Sequence, residues 1–351
     1  MSPIPLLQVA TPFSTGTGVY LAQYALVVTN EHVVRSNSTV VIEGADLTEQ
    51  LAEVVYLDAA YDLAFLRPRS FPEVPPLPFS QEAAGVGDPV RTVGQYLGEP
   101  VRHVEGRLTA VGVELNGTAY LRHTAREGET LIGGVLLDAQ GQLRGINMMN
   151  AREHPGETLA LPAATVSEVL DTFGRGEGRP AARCFYCREV TFELAANPKG
   201  FCPSCGKPLV LPSLVEEVLP TGVEATIEAI IRAAGHDPRL ARRGPNLWRI
   251  RQGSATIQVT YHEDSGLVTG DAYLCQLPEM PPAEVFAYLL RENDRLQQLT
   301  FSTYGRDIIL SLLIYDRYLS LETALPRFEA LFAQADAYDD VLVNTYGAGW
   351  R

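Results

Sequence analysis

The chain reads as a multidomain protein, with an all-β barrel region, a small four-cysteine module and an α+β region following one another. Three observations predict this. Short β-branched runs separated by glycine and proline turns fill Leu7 to Phe173. Two Cys-x-x-Cys pairs follow at Cys184, Cys187, Cys202 and Cys205. Helical and strand periodicities then alternate from Pro212 to the end of the 351 residues.

Within the first region, Tyr20 to Thr29, Thr39 to Glu43 and Leu51 to Leu57 are short, largely apolar and β-branched runs, which predict early strands of an antiparallel barrel. Val166 to Phe173 carries apolar residues at helical spacing after Leu161-Pro162-Ala163, which predicts a short closing helix and a domain spanning 1–173. Gly174 to Arg183 is rich in glycine, arginine and proline, the composition of an exposed linker over 174–183.

Several short blocks in the first region point to chemistry. They are Ser14-Thr15-Gly16-Thr17-Gly18-Val19, then Val27-Val28-Thr29-Asn30-Glu31-His32-Val33-Val34, then Tyr61-Asp62-Leu63-Ala64-Phe65-Leu66. The last is Gly128-Glu129-Thr130-Leu131-Ile132-Gly133-Gly134-Val135-Leu136. In that order the blocks resemble a trypsin-like serine protease of the HtrA type. The resemblance implies a double β-barrel, and it places His32 and Asp62 at the histidine and aspartate of the catalytic triad. It also places Ile132 where the family carries its nucleophilic serine, and Thr130 where it carries a glycine. No PDZ domain follows, unlike the typical HtrA arrangement.

Acyl transfer by a triad needs an oxygen whose proton an imidazole removes, with a carboxylate holding the imidazole tautomer. A sec-butyl side chain supplies neither lone pair nor proton. A β-branched residue at 130 also resists the dihedrals that glycine accepts where backbone N–H groups must face a developing oxyanion. The expectation is therefore a pseudo-protease with no catalytic residues, in which His32, Asp62 and Ile132 are vestigial positions. His32 and Asp62 then form a structural hydrogen-bonded pair, or line a groove that holds a peptide. The alternative is a hydrolase whose attacking group is Thr130, Thr124 or a partner's side chain.

Fourteen residues separate Cys187 from Cys202, the spacing at which two tight turns present four thiolates to one ion. Residues 184–211 thus read as a zinc ribbon with one structural zinc on Cys184, Cys187, Cys202 and Cys205, closed to catalysis. Residues 174 to 208 hold six basic against three acidic side chains without a basic and aromatic array, so docking on a protein is favoured over nucleic-acid binding. Cys275 lies in an apolar run and reads as core.

From 212–351 the periodicity predicts a helix over Val223 to Ala234 ended by Gly235, and strands at Trp248 to Arg251, Ala255 to Tyr261 and Asp271 to Leu277. A helix over Ala283 to Asn293 follows, then strands at Leu299 to Tyr304 and Asp307 to Asp316 and a last helix from Leu321 to Ala335. This α-β-β-β-α-β-β-α order resembles the type III secretion chaperone-like fold, YbjN-like proteins included. The resemblance implies a domain without catalytic residues that binds protein segments or forms a homodimer.

A net charge of −14 repels nucleic acid and anionic membranes, and 46% apolar content excludes wholesale disorder. The amino terminus, Met1-Ser2-Pro3-Ile4-Pro5-Leu6-Leu7, shows neither a basic stretch nor an apolar core of a signal peptide, and no run reaches ~20 apolar residues. The expectation is a cytoplasmic bacterial protein that recognises a protein or peptide partner, as scaffold, adaptor or regulator.

Overall fold

The computed structural model describes residues 4–44, 48–70, 73–95, 101–126, 133–150, 156–194, 200–253, 255–280 and 282–350. They divide into two units, Met1–Val218 and Leu219–Arg351.

The first unit opens with β1 (Leu6–Ala10), β2 (Thr15–Leu21), β3 (Leu26–Thr29), the one-turn helix α1 (Glu31–Val34), β4 (Thr39–Glu43), β5 (Glu49–Asp58) and β6 (Leu63–Pro68). These strands run in the order β5-β4-β1-β2-β3-β6, and β5 pairs with β6 to close a six-stranded barrel. The single strand expected over Tyr20 to Thr29 is two, because Tyr24 and Ala25 donate their N–H groups to Leu21 and Ala22 and form a turn. Gly18 is needed where β2 crosses the barrel interior: a Cβ there would lie 2.7 Å from Val27 Cγ1 and 3.0 Å from Val9 Cγ2.

A second six-stranded barrel follows, of β7 (Pro89–Gly94), β8 (Arg102–Leu115), β9 (Thr118–His123), β10 (Val135–Leu137), β11 (Leu143–Asn150) and β12 (Thr158–Pro162). Asn116 and Gly117, both at positive φ, make the two-residue turn between β8 and β9, the geometry that Asn-Gly favours in a hairpin. The helix α2 (Ala163–Gly174) buries Val166, Val169, Leu170 and Phe173. The Phe173 ring meets Tyr56 and Phe65 at 5.7 and 5.6 Å, and those two stack at 4.7 Å. One core thereby draws on both barrels, with Leu63 and Phe65 beside Ile146 and Leu161.

The linker expected at 174–183 is exposed only in part. Its last residues form β13 (Ala181–Arg183), parallel to β5, with Ala181 opposite Tyr56 and Ala182 opposite Leu57. Both residues are buried. β14 (Val190–Phe192) extends the sheet, and Cys184, Cys202, Leu209 and Leu211 join the core of the first barrel.

The second unit holds α3 (Gly222–Ala233), the short α4 (Pro238–Ala241), β15 (Arg242–Gly244), β16 (Leu247–Gln252), β17 (Ala255–His262) and β18 (Leu267–Gln276). Then come α5 (Ala283–Arg295), β19 (Leu299–Tyr304), β20 (Asp307–Tyr315), α6 (Leu321–Tyr346) and β21 (Gly349–Trp350). The sheet is antiparallel in the order β15-β16-β17-β18-β20-β19, with β21 on β18. Phe328, Leu331 and Phe332 of α6 enter its core, and Gly270 lets the helix approach: a Cβ there would sit 2.9 Å from Leu331 Cδ2. Cys275 is fully buried in this core, as its apolar setting predicts, and burial pushes its thiol up to about 12.

α6 runs eleven residues past the expected end at Ala335, because Phe328, Leu331, Phe332, Ala335 and Leu342 keep one face buried until Gly347 caps it in the left-handed conformation. At its start the Ser320 hydroxyl accepts from the Thr323 N–H at 3.2 Å. Ser320→Ala is expected to lower the stability of this unit by about 1 kcal/mol, read as a shifted urea midpoint with unchanged slope.

Candidate active site and cysteine cluster

α1 follows β3 directly, with Val33 and Val34 buried beneath it. Gly16 leaves room for that packing, since a Cβ there would lie 2.8 Å from Val33 Cγ2. Arg35 grips Glu31 one turn back at 2.6 Å, and this hydrogen bond raises the Arg35 guanidinium above its ordinary value. Between these anchors His32 keeps 38% of its side chain exposed.

Asp62 sits in the turn before β6 at φ +51 and is gripped by Asn30, whose Nδ2 donates to its carbonyl at 3.1 Å. Its carboxylate holds His32 twice. Oδ2 lies 2.7 Å from His32 Nδ1, and Oδ1 accepts the His32 backbone N–H at 2.9 Å. A carboxylate only accepts, so Nδ1 carries a proton, and in the neutral ring Nε2 then keeps the lone pair that a general base needs.

The second barrel brings the double glycine to the same place. Gly133 has φ +80, and a Cβ on it would lie 2.4 Å from the Thr17 carbonyl oxygen and 3.1 Å from Asn30 Oδ1. Only glycine fits. Its N–H donates to Asn147 O at 3.0 Å, while Asn147 N–H donates to Gly134 O at 2.9 Å. Asn147 is held in turn by buried His123, whose Nε2 lies 3.1 Å from Asn147 Oδ1. Ile132 and Thr130 lie outside the described residues. Thr124 is exposed, and its hydroxyl accepts from the Arg107 N–H at 3.1 Å.

Beside this site lies a cluster that sequence reading missed. Asp58, fully buried, accepts from Tyr56 Oη at 2.9 Å, Tyr61 N at 3.0 Å and Arg183 Nε at 2.7 Å. Burial raises its carboxyl above the ordinary value against the opposing pull of Arg183. The signal available was the position of two arginines flanking the first cysteine pair, which spacing rules for metal sites do not weigh.

The structure brings Cys184, Cys187, Cys202 and Cys205 together, with all four sulfurs within 4.8 Å of one another. Cys184 and Cys205 sulfurs are 3.6 Å apart, as are those of Cys187 and Cys202. A tetrahedral ion with sulfurs at about 2.3 Å requires edges of about 3.8 Å, so the four thiols fit one metal. The two turns repeat one pattern: Arg188 N–H donates to Cys184 O at 2.9 Å, and Gly206 N–H to Cys202 O at 2.8 Å. A separate cleft of about 760 Å³, lined by Glu31, Arg35, Ala59, Phe185, Val210 and Val215 among others, borders α1 and this module without reaching His32 or Asp62.

Residues 16–146 match the family model of the trypsin-like peptidase domain. Serine endoprotease DegS of Salmonella typhimurium is 28% identical over 273 residues, 72% of this chain and 74% of that protein. DegS of Escherichia coli K12 is 28% identical over 47% of this chain, which spans 49% of that relative. A probable periplasmic serine endoprotease, DegP-like, of Rhizobium meliloti is 28% identical over 46% of this chain and 33% of its own length. The solved serine endoprotease from Yersinia pestis overlays with a TM-score of 0.45 at 22% identity, over 50% of this chain and 64% of that one.

These relatives correct the expectation of a non-enzyme. All three curated proteins carry the name of serine endoproteases, which points to a protease family. The expectation weighed one aligned residue, Ile132, above a histidine and aspartate that keep the 2.7 Å geometry of a general base.

Burial holds the His123 imidazole down at about 4, against the opposing pull of its hydrogen bond to Asn147. A depressed histidine favours the folded state above its unfolded value of about 6.5 and loses that contribution as pH falls towards 4. Stability measured by urea unfolding is expected to fall below pH 6.5 by up to about 1.4 kcal/mol per pH unit, and His123→Gln to flatten that slope. The two barrels around His32 and Asp62 are similar to a trypsin-like peptidase domain.

Proposed function

We propose that the chain handles polypeptide at the His32–Asp62 site, on an HtrA-type framework in which His32 is the general base. The single observation that supports this most is the doubly gripped imidazole, with Nδ1 on Asp62 at 2.7 Å and more than a third of the side chain open to solvent. A pair kept for packing alone has no need of an exposed ring. Hydrolysis in this reading draws its attacking group from outside position 132, either a hydroxyl elsewhere in the chain or one brought by a partner. His32 would take the proton of that hydroxyl as it attacks the scissile carbonyl and return it to the leaving amine.

The isoleucine at position 132 favours a second reading, a protein-binding scaffold or regulator in which the groove recognises a polypeptide and the C-terminal unit adds another surface. The type III secretion chaperone-like order of elements supports that role for Leu219–Arg351. So do the exposed apolar side chains Phe286 and Leu290 on α5. A relative named as periplasmic weighs against the cytoplasmic placement expected from the amino terminus. No helix among the described residues is long and apolar enough to cross a membrane.

The four cysteines in this reading form a zinc ribbon holding one structural ion. Their tetrahedral spacing and paired turns support zinc, and a set of four thiolates leaves no position for a reacting water. Nucleic acid is the least favoured ligand, since the chain carries −14.

Incubation of the full chain with fluorescent unfolded casein tests the site. Saturable binding is expected, with any cleavage falling at least ~100-fold in His32→Ala; absence of both binding and cleavage would sink the reading. Elemental analysis is expected to give one zinc per chain, lost in Cys202→Ser; a metal-free protein whose unfolding midpoint ignores chelator would exclude the ribbon.

A further inference from the structure

The first cysteine turn is wired to the turn that carries Asp62. Arg183 immediately precedes Cys184, and Arg188 immediately follows Cys187. Arg183 donates from Nε to Asp58 Oδ2 at 2.7 Å and from Nη1 to the Arg188 carbonyl at 2.7 Å. Its guanidinium lies 4.9 Å from the centre of the Tyr61 ring, and that of Arg188 lies 5.6 Å from the same centre. Arg188 also donates from Nη2 to Asn116 O at 2.6 Å, in the β8–β9 turn of the second barrel. Asp58 accepts the N–H groups of Ala60 and Tyr61, so the turn leading into Asp62 is built on the carboxylate that Arg183 holds.

Arg188 occupies this place at a cost. Its φ is +66, and the equivalent residue of the second cysteine turn is Gly206, with φ +69. A residue with a Cβ is disfavoured in that conformation, and glycine is not. The side chain is the visible compensation: it caps Tyr61 and crosses to the other barrel.

We infer that the four-cysteine site positions the His32–Asp62 pair, with Arg183 and Arg188 as positioning residues acting through Asp58 and Tyr61. An ion bound at the four thiols orders the Cys184–Cys187 turn. The ordered turn fixes two guanidinium groups on the 58–61 turn, and that turn aims Asp62 at His32. Loss of the ion by chelation frees both arginines and slackens the grip on the imidazole. The inference rests on the metal reading of the cysteines and on the His32–Asp62 assignment.

The test uses the full chain labelled with ¹⁵N-histidine, the His32 signal being assigned by its absence in His32→Ala. The readout is the exchange of the His32 Nδ1 proton with water. Arg188→Gly is the decisive variant, because glycine suits the turn and only the guanidinium contacts are removed. It is expected to keep one metal per chain and an unchanged circular dichroism spectrum, while the Nδ1 proton exchanges at least about tenfold faster. Arg183→Ala and chelation are expected to act in the same direction, and Arg183→Lys to recover part of the loss. Wild-type exchange rates in Arg188→Gly and in chelated protein would overturn the inference. A metal-free wild type whose exchange still rises in Arg188→Gly would instead fail the metal reading alone. Where no His32 signal shows a bond to Asp62 at all, the pair itself fails.

Discussion

Everything at the site depends on one carboxylate making two hydrogen bonds to one residue. Asp62 accepts from both the ring and the backbone of His32, which fixes the imidazole in rotation and in tautomer at once. That grip requires the turn before β6 to present Asp62 at positive φ, where an ordinary side chain is disfavoured. The turn is stabilised from both sides, by the amide of Asn30 and by the buried carboxylate of Asp58. A charge-assisted contact of 2.7 Å with the carboxylate one-fifth exposed is stronger than a surface pair, since water competes less for either partner.

The two barrels contribute unequally. The first supplies both members of the pair, on α1 and on the turn before β6. The second supplies the close approach at Gly133, where two backbones meet so tightly that no Cβ is tolerated. His123 and Asn147 stand behind that approach as a buried polar relay. Such a relay is costly unless its donors and acceptors are matched, and a neutral imidazole matches it better than a charged one.

Much of this was legible in the sequence, for identifiable reasons. Strand and helix positions in the C-terminal unit follow from side-chain periodicity, so Leu299–Tyr304 is recovered residue for residue. His32 and Asp62 were found through local blocks that fold locally. By contrast, Ala181 and Ala182 look like linker because alanine carries no periodic signal, yet both are buried in β13, paired with β5. Asp58 and Arg183 meet across 125 positions of sequence, and nothing in either neighbourhood announces the other. The expectation of a non-enzyme rested on the residue type at 132 alone, and the relatives named as serine endoproteases overturn it.

A crystal structure of the full chain with a bound oligopeptide tests the central claim most directly. The account predicts a peptide main chain within about 3 Å of His32 Nε2, with Nδ1 still on Asp62. A peptide seated elsewhere, or an imidazole turned away from Asp62 when peptide binds, would contradict it.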